Sequence, residues 1–422
     1  MSDLTPKQIW IVGAGPAGIA AAEAALESGA TVGVIDENPA PGGQIYRALL
    51  GVMKPEIQSR VDALHAKGVL FLNQTTVIDA PAVGELTVKG PNGPERLRYE
   101  SLILATGARE LFLPFPGWTL PNVMGVGGLQ ALVKSGLDVS GKRIVVSGTG
   151  PLLLAVGAYL KQKGAKVVRI AEQAPAQRIR EFTQRLVGYP YKLGQGIPLM
   201  LSIGATVRTS AWVERANGSH VLESVKINSH QEPIRCDYLA CAYGFEPNVE
   251  LATLLGCELH RGFVEVDETL RTSVPYVWCA GEPTGIGGID LSEIEGKIAG
   301  YCATGNEKAA QRLMPTRARW MRFAAMLEVT YALRDELKTL PNPETILCRC
   351  EDVSIEQATE WNGSRAAKLH SRCGMGPCQG RICGAAGRFL YGWEHGTVRA
   401  PLVPVPLSDL TERDPELTNH TN

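Results

Sequence analysis

The stretch from Ile9 to Glu37, IWIVGAGPAGIAAAEAALESGATVGVIDE, decides the fold. Ile9 to Val12 is a short apolar strand that runs directly into GAGPAG, with glycines at 13, 15 and 18. An Ala-rich helix over Ile19 to Glu27 follows, ends at Ser28-Gly29, and feeds a second strand, TVGVID, that closes on Asp36 and Glu37. Each glycine of this βαβ unit has its own physical task. Gly13 makes the tight turn, Gly15 lets a pyrophosphate approach the backbone, and Gly18 lets helix and strand pack closely. The phosphates then meet a helix N-terminus, opened by Pro16 and Ala17, where free N–H groups and the dipole favour negative charge. Asp36 comes 23 residues after Gly13, close to the ~20 expected of the carboxylate that accepts hydrogen bonds from an adenosine ribose. Glu37 is the fallback.

Around that unit, bulk properties narrow the class. The chain has 422 residues, 45% of them apolar, with 46 Gly and 27 Pro, enough for two or three globular domains with separate cores. Its 42 Lys and Arg balance 43 Asp and Glu, so no long-range field draws polyanions, and nucleic acid is not an expected partner. MSDLTPKQIWIVGAG lacks a basic segment followed by an apolar export core, and the apolar run Pro151 to Leu160 is too short to span a bilayer. A cytoplasmic address is therefore expected. There thiols stay reduced, so clustered cysteines point to metal ligation rather than disulfides.

Three later stretches specify the dinucleotide. PGGQIY (Pro41 to Tyr46) is a Gly-rich loop after the second strand, LILATGA (Leu102 to Ala108) is an apolar strand that breaks at Thr106-Gly107, and TSVPYVWCAGEPTGIGG (Thr272 to Gly288) ends a strand in Ala280-Gly281-Glu282. In this order they resemble the two-dinucleotide-binding-domain flavoproteins. The resemblance implies an FAD-binding domain over residues 1–118 and 245–310. Its implied cofactor contacts are Gly13, Gly15, Pro16, Ala17, Gly18, Asp36, Glu37, Gly43, Gln44, Val77, Ala105, Thr106, Gly107, Gly281 and Glu282. That family usually carries Gly-Asp where this chain has Gly281-Glu282, which keeps the charge with one more methylene. Asp290 and Glu293 stand at capping-box spacing and predict a helix whose positive end faces the flavin.

A second βαβ unit begins at Lys142, KRIVVSGTGPLLLAVGAYLKQKGAKVVRIAE. Its strand is Ile144 to Val146, its turn Gly148-Thr149-Gly150, Pro151 occupies the first helical turn, and Glu172 ends the next strand. Leu153 replaces the third glycine, which predicts poorer helix–strand packing. By the same resemblance residues 119–244 form a degenerate nucleotide domain. Gly148, Gly150 and Glu172 are its candidate contacts for NAD(H) or another adenine nucleotide; Glu172 suits a ribose hydroxyl and repels a 2′-phosphate.

No CxxC occurs in the chain, which removes the dithiol of flavin disulfide reductases. Cys236, Cys241, Cys257, Cys279 and Cys302 are scattered and read as small buried hydrophobes. The other five crowd into TILCRCEDVS (Thr345 to Ser354) and SRCGMGPCQGRICG (Ser371 to Gly384), beyond a break at Pro341 and Pro343. Cys348 and Cys350 in one loop, with Cys378 and Cys383 in another, can ligate a [2Fe–2S] cluster. Structural zinc also accepts four thiolates, usually from CxxC spacing. His370 is a poor ligand, because a Rieske centre needs two histidines and no other is near.

CRCEDV followed by GMGPCQGRICG resembles the cluster-binding domain of bacterioferritin-associated ferredoxin. That resemblance implies Cys348, Cys350, Cys378 and Cys383 as ligands and leaves Cys373 surplus, either an alternate ligand or a neighbour of the cluster. Over nearly the whole chain, the order of motifs resembles the α or A-type subunits of heteromeric amine dehydrogenases: opine oxidases, hydrogen cyanide synthases and hydroxyproline or proline dehydrogenases. The fold class expected is α/β, two Rossmann-like domains, then a helical connector (311–340), a [2Fe–2S] domain (341–405) and a polar tail (406–422). In that family an FAD-dependent β subunit oxidises a C–N bond, and the subunit read here would relay the electrons to a respiratory acceptor at the inner membrane. An FMN at the subunit interface and a small third subunit are further expectations of the resemblance. No Arg flanked by aromatics, and no His or Tyr singled out by spacing, marks a substrate or acid–base site. The rival reading is a self-sufficient NADH-dependent reductase feeding the same cluster.

Overall fold

The computed structural model describes residues 7–46, 55–394 and 396–410. In chain order, the elements that carry the argument begin with β1 (Lys7–Val12), α1 (Pro16–Glu27), β2 (Val32–Ile35), β3 (Leu70–Leu72), β4 (Thr76–Asp79), β5 (Glu85–Gly90) and β6 (Gly93–Leu104). Next come β7 (Val123–Gly125), α2 (Val126–Lys134), β8 (Arg143–Gly148), α3 (Pro151–Gln162), β9 (Lys166–Glu172), β10 (Val207–Arg208) and β11 (Tyr238–Ala242). Last are β12 (Val277–Cys279), α4 (Gly288–Ala303), α5 (Met314–Tyr331), β13 (Ile346–Cys348), α6 (Ser364–Ser371) and α7 (Cys383–Tyr391).

The chain forms two compact units, Met1–Gly107 with Pro247–Met321 and Thr397–Asn422, and Ala108–Glu246 with Arg322–Gly396. The first is built on a sheet in the order β3-β2-β1-β6-β5-β4, with β12 added against β6. Its β2-β1-β6-β12 core is parallel, so both faces are covered and the strands read as apolar runs. Trp10 lies across β2, where a Cβ on Gly33 would stand 2.4 Å from its ring; that contact requires the glycine within TVGVID. Helix α4 packs on α1 through small residues, because a Cβ on Gly296 or Gly300 would lie 2.1 or 2.4 Å from the carbonyls of Ala17 and Ala21. The chain returns to this unit after the cysteines: Leu402 donates its N–H to Ile78 O, and Lys89 pairs with Asp409. Residues 397–410 thus belong with the first unit, although the sequence reading placed 341–405 in one domain. Residues 411–422 of the expected tail lie outside the described residues.

The second unit carries a five-stranded parallel sheet, β10-β9-β8-β11-β7. Leu153, where the fingerprint has glycine, is fully buried among Ile144, Val146 and Leu160. Close helix–strand approach moves one turn on, to Gly157, where a Cβ would meet Ile170 Cδ1 at 2.7 Å. The expected loss of packing at position 153 is therefore replaced by a shift of the contact point. The connector is helical over α5, then a 3-10 turn over Asp335–Thr339. The cysteine segment has its own small core, with Leu347, Val353, Ala358 and Ala367 around Cys348, Cys373 and Cys383. It joins the β-sheet core of the same unit through Ile346 and Phe389, Trp118 Nε1 donates to Ile346 O at 2.6 Å, and Arg388 pairs with Glu246.

Candidate functional site

The first glycine turn sits where β1, β2 and β6 end together: Gly13 N–H donates to Ile35 O at 2.8 Å and Ala105 N–H to Val12 O at 2.9 Å. Gly13 has φ +106°, and a Cβ there would lie 2.2 Å from Ala105 O; a Cβ on Gly18 would lie 1.8 Å from Gly13 O. Gly15 is the N-cap of α1 and offers no side-chain cap. The loop from Pro41 closes over it by Gly42 N–H donating to Ala14 O at 2.7 Å. A Cβ on Gly43 would come within 2.9 Å of Gly15 Cα. Pro16, Ala17 and Gln44 flank this cradle, with Gln44 exposed. Such a side-chain-free cradle at a helix N-terminus fits a pyrophosphate.

Asp36 is buried, its Oδ2 accepting Ala14 N–H at 2.6 Å and its Oδ1 accepting Asn38 N and Nδ2 at 2.8 and 2.7 Å. Three donors leave acceptor capacity on a carboxylate for one more. Glu37 is exposed beside it. Val77, on β4, has its side chain in the core with Trp10 and Ile35, so only its backbone is available to a ligand. Ala105-Thr106-Gly107 is locked by Asn248: Thr106 Oγ1 donates to Asn248 O at 2.6 Å, Asn248 Nδ2 donates to Thr106 O at 2.9 Å, and Asn248 N donates to Gly107 O at 2.9 Å.

Gly281 (φ +82°) returns to the same place: a Cβ on it would stand 2.9 Å from Ala17 Cβ. Glu282, next to it, has a carboxylate without a hydrogen bond or ion pair among the described residues, and burial alone raises its pKa. A half-buried carboxylate without a partner can take a donor from a ligand. The loop is held by Glu295, which accepts Gly281 N–H at 3.0 Å and Thr284 Oγ1 at 2.9 Å and pairs with Arg317 Nε at 3.0 Å. The expected capping box is absent. Helix α4 starts at Gly288 with Gly287 as its N-cap and no side-chain cap, and Glu293 instead accepts from Tyr46 Oη and Arg60 Nη1, both at 2.6 Å. Tyr46 and Arg60 draw it away from the helix end.

The second turn repeats the first with a different neighbour. Gly148 (φ +140°) would put a Cβ 1.8 Å from Ala242 O, whereas Gly150 (φ +97°) meets nothing within 4 Å. Glu172 is buried and accepts Gly150 N–H and Ala174 N–H, both at 2.7 Å, and Thr149 Oγ1 at 2.9 Å. Burial outweighs these donors and raises its pKa to about 7. Gln173 Nε2 donates to Thr149 Oγ1 at 2.9 Å and to the carbonyls of Tyr331 and Ala332 at 3.4 and 3.3 Å, while Gln173 Oε1 accepts Arg334 N–H at 3.2 Å. The end of the connector is thus strapped beside this turn.

The clustered thiols form two groups. Sγ atoms of Cys348, Cys373 and Cys383 lie within 4.8 Å of one another. Cys348 accepts hydrogen bonds from the thiols of Cys373 and Cys383, which hold its pKa far below the usual thiol value, and from Gly374 N–H at 3.4 Å. Cys350, exposed, accepts a hydrogen bond from the Cys378 backbone and contacts the Cys378 thiol. Each group takes members from both loops, because a Cβ-less Gly376 lets the second loop reach Cys350. His370 stacks on Trp361, ring centroids 3.9 Å apart. The scattered thiols Cys236, Cys241, Cys257, Cys279 and Cys302 are all buried, and burial raises each of their pKa values.

Sequence reasoning missed Glu295, Arg317, Asn248 and Gln173, and it left Cys373 between alternate ligand and neighbour. Glu295 left one signal, a charged residue four positions from Leu291 on the buried stripe of a helix whose neighbours there are small or apolar. Asn248 left none.

With two Rossmann-like units and a glycine-turn cradle in place, the fold defines an FAD-dependent oxidoreductase. The chain belongs to the pyridine nucleotide-disulphide oxidoreductase family, whose pattern matches residues 7–296. Within it, the chain belongs to the group that contains the A subunits of opine oxidases and the HcnB subunits of hydrogen cyanide synthases. It is 30% identical to the opine oxidase A subunit of Rhizobium meliloti, over 96% of this chain and 87% of the relative. It is also 30% identical to the hydrogen cyanide synthase HcnB subunit of Pseudomonas protegens, over 97% of this chain and 98% of the relative. Its fold matches that of L-proline dehydrogenase from P. horikoshii with a TM-score of 0.66 and 20% identity, over 97% of this chain and 80% of that one. The subunit names of the relatives imply a multi-subunit complex. No helix among the described residues is long and apolar enough to cross a membrane.

Proposed function

We propose that this chain is the FAD- and [2Fe–2S]-containing subunit of a heteromeric dehydrogenase or oxidase acting on the C–N bond of an amino acid or opine. It accepts electrons from a β subunit that performs the oxidation. The two bound groups supply one-electron and two-electron carriage, and this chain's residues hold and insulate them. Gly13, Gly15, Gly18 and Gly43 keep the pyrophosphate cradle clear of side chains, Asp36 takes the ribose, and Glu282 takes a donor on the flavin arm. Glu295 and Arg317 keep Gly281 against Ala17. Cys350 with Cys378, and Cys348 with Cys383, supply the thiolates.

The observation that carries this reading is the sorting of the clustered thiols into two groups, each drawn from both loops, in a chain without a CxxC. Two irons bridged by sulfides need two thiolates apiece, and a single tetrahedral zinc would gather four thiols into one group. The strap of Gln173 onto Tyr331, Ala332 and Arg334 weighs against the NADH reductase reading, since it holds a segment of the chain beside the second turn.

The test is anaerobic purification of the chain alone and together with the products of its adjacent genes, searched for an FAD-binding amine oxidase that co-purifies. The expected result is flavin and iron in the isolated chain, no bleaching by NADH, and reduction of the cluster during amine turnover by the complex. Rapid bleaching of the isolated chain by NADH would move the assignment to the self-sufficient reductase. Colourless, iron-free material would remove the relay altogether.

A further inference from the structure

The resemblance to cluster-binding domains leaves Cys373 between alternate ligand and neighbour, and the fold places its sulfur with those of Cys348 and Cys383, all within 4.8 Å. It is as buried as they are: Cys373 is 5% exposed, Cys383 3% and Cys348 1%. The backbone enforces the arrangement. Arg372 (φ +67°) and Gly374 (φ +83°) both take left-handed conformations, which turn the chain back at Cys373 after α6. A Cβ on Gly374 would lie 3.4 Å from Gly380 Cα and 3.7 Å from Cys383 Sγ. The loop carrying Cys373 is therefore pressed against the segment that leads into Cys383. Cys350 lies against Cys378 instead.

An iron of a [2Fe–2S] centre already holds two bridging sulfides, so its tetrahedron has two places for protein thiolates. Three thiols share one neighbourhood, and Cys348 is central, because it receives Gly374 N–H and both other thiols. We propose that Cys373 and Cys383 are alternative ligands for the remaining place on the iron that Cys348 binds. Cys350 and Cys378 on the other iron have no substitute. This rests on the cluster reading above. The exchange is redox-neutral: one Fe–S bond forms as another breaks, and the incoming thiol passes its proton to the departing thiolate. A chain built this way keeps its centre when Cys383 is lost but not when Cys378 is.

The test uses the full chain, reconstituted anaerobically with iron and sulfide. Iron and sulfide content, visible spectrum and low-temperature EPR after dithionite are read for Cys373→Ala, Cys383→Ala, the double variant, Cys350→Ala and Cys378→Ala. Cys373→Ala and Cys383→Ala each keep iron within a factor of about two of wild type, with changed EPR g-values in Cys383→Ala. The double variant and both outer-pair variants lose it by about tenfold or more. Flavin content and melting temperature at wild-type values show that the fold is intact. Loss of iron in Cys383→Ala as complete as in Cys378→Ala, with the flavin retained, would overturn the proposal. Cys383→Ser keeps the side-chain volume and serves if the alanine variant does not fold. An all-thiolate spectrum in Cys383→Ser supports takeover by Cys373, and an oxygen-ligated, blue-shifted one overturns it. Wild-type chain that binds no iron would instead remove the cluster reading itself, so the two failures are distinguishable.

Discussion

The two glycine turns share one plan and differ in what lies over them. In each, a parallel strand ends in a glycine whose Cβ would collide with the carbonyl of the neighbouring strand, Ala105 in one and Ala242 in the other. In each, an acidic residue at the tip of the next strand accepts an N–H of the turn, Asp36 from Ala14 and Glu172 from Gly150. The first turn then stays free of side chains, with Gly43 set against Gly15 and an unpaired Glu282 in the returning loop. At the second, Gly150 meets nothing within 4 Å, but Thr149 and Gln173 tie the turn and its acidic tip to the backbone of Tyr331 and Ala332. A βαβ fingerprint therefore reports how the strands and helix are joined, and the neighbouring segment decides whether a nucleotide has room.

Swapping the third fingerprint position tests this most severely. Gly18→Ala forces a Cβ to 1.8 Å of Gly13 O, which no local shift absorbs. The flavin absorbance per chain should fall by about tenfold or more, or the protein should fail to fold. The reverse change in the second unit, Leu153→Gly, restores the motif's spelling but removes a fully buried side chain. It should cost about 2–5 kcal/mol, read as a lower melting temperature, without any gain in NADH binding by calorimetry. A Leu153→Gly variant that binds NADH would break the comparison.

How much of this was legible in the sequence follows from range. The βαβ units were readable because strand, turn, helix and acidic tip are consecutive, and the thiols because they lie in two short loops. What escaped depends on pairs distant in the chain. Asn248 meets Thr106 across 142 positions, and Gln173 meets Ala332 across 159; neither residue type announces such a partner. The capping-box expectation at Asp290 and Glu293 failed for the same reason, since Tyr46 and Arg60 compete for Glu293 from far earlier in the chain. The analogy left the role of Cys373 open, because two left-handed residues beside it decide its position.

The next effects separate the two straps contributed by the connector. Arg317→Met leaves Glu295 buried without its cation, which should cost about 3–5 kcal/mol and lower flavin content with it. Melting temperature and the flavin absorbance band check both, and adding Glu295→Gln should restore part of the loss. In the second unit, Gln173→Ala leaves the carbonyl of Ala332 without a donor, that of Tyr331 with only Thr149 Oγ1, and the N–H of Arg334 without an acceptor. A cost of about 1–3 kcal/mol is expected, with faster hydrogen exchange at Arg334 and unchanged flavin content. Loss of flavin in Gln173→Ala would show that the straps are not independent.

The smallest effect concerns the acidic tips and sets the sign of a pH dependence. Burial raises the Glu172 pKa from 4.5 to about 7 despite three donors, so the folded state holds that proton more tightly than the unfolded chain does. Its contribution is then fully present below about pH 4.5 and is lost as pH rises through about 7. Glu172→Gln cannot titrate, and one of its amide N–H groups must face a backbone donor, so it is less stable than wild type at low pH. As pH rises from about 4.5 to 7 the wild type loses this advantage, and the gap in unfolding free energy between the two proteins should narrow, then stay level. Denaturant titrations at several pH values measure it directly. A gap that widens with pH would mean that the ionised carboxylate is stabilised by its donors from Thr149, Gly150 and Ala174, and that the second tip is poised for a ribose rather than sealed.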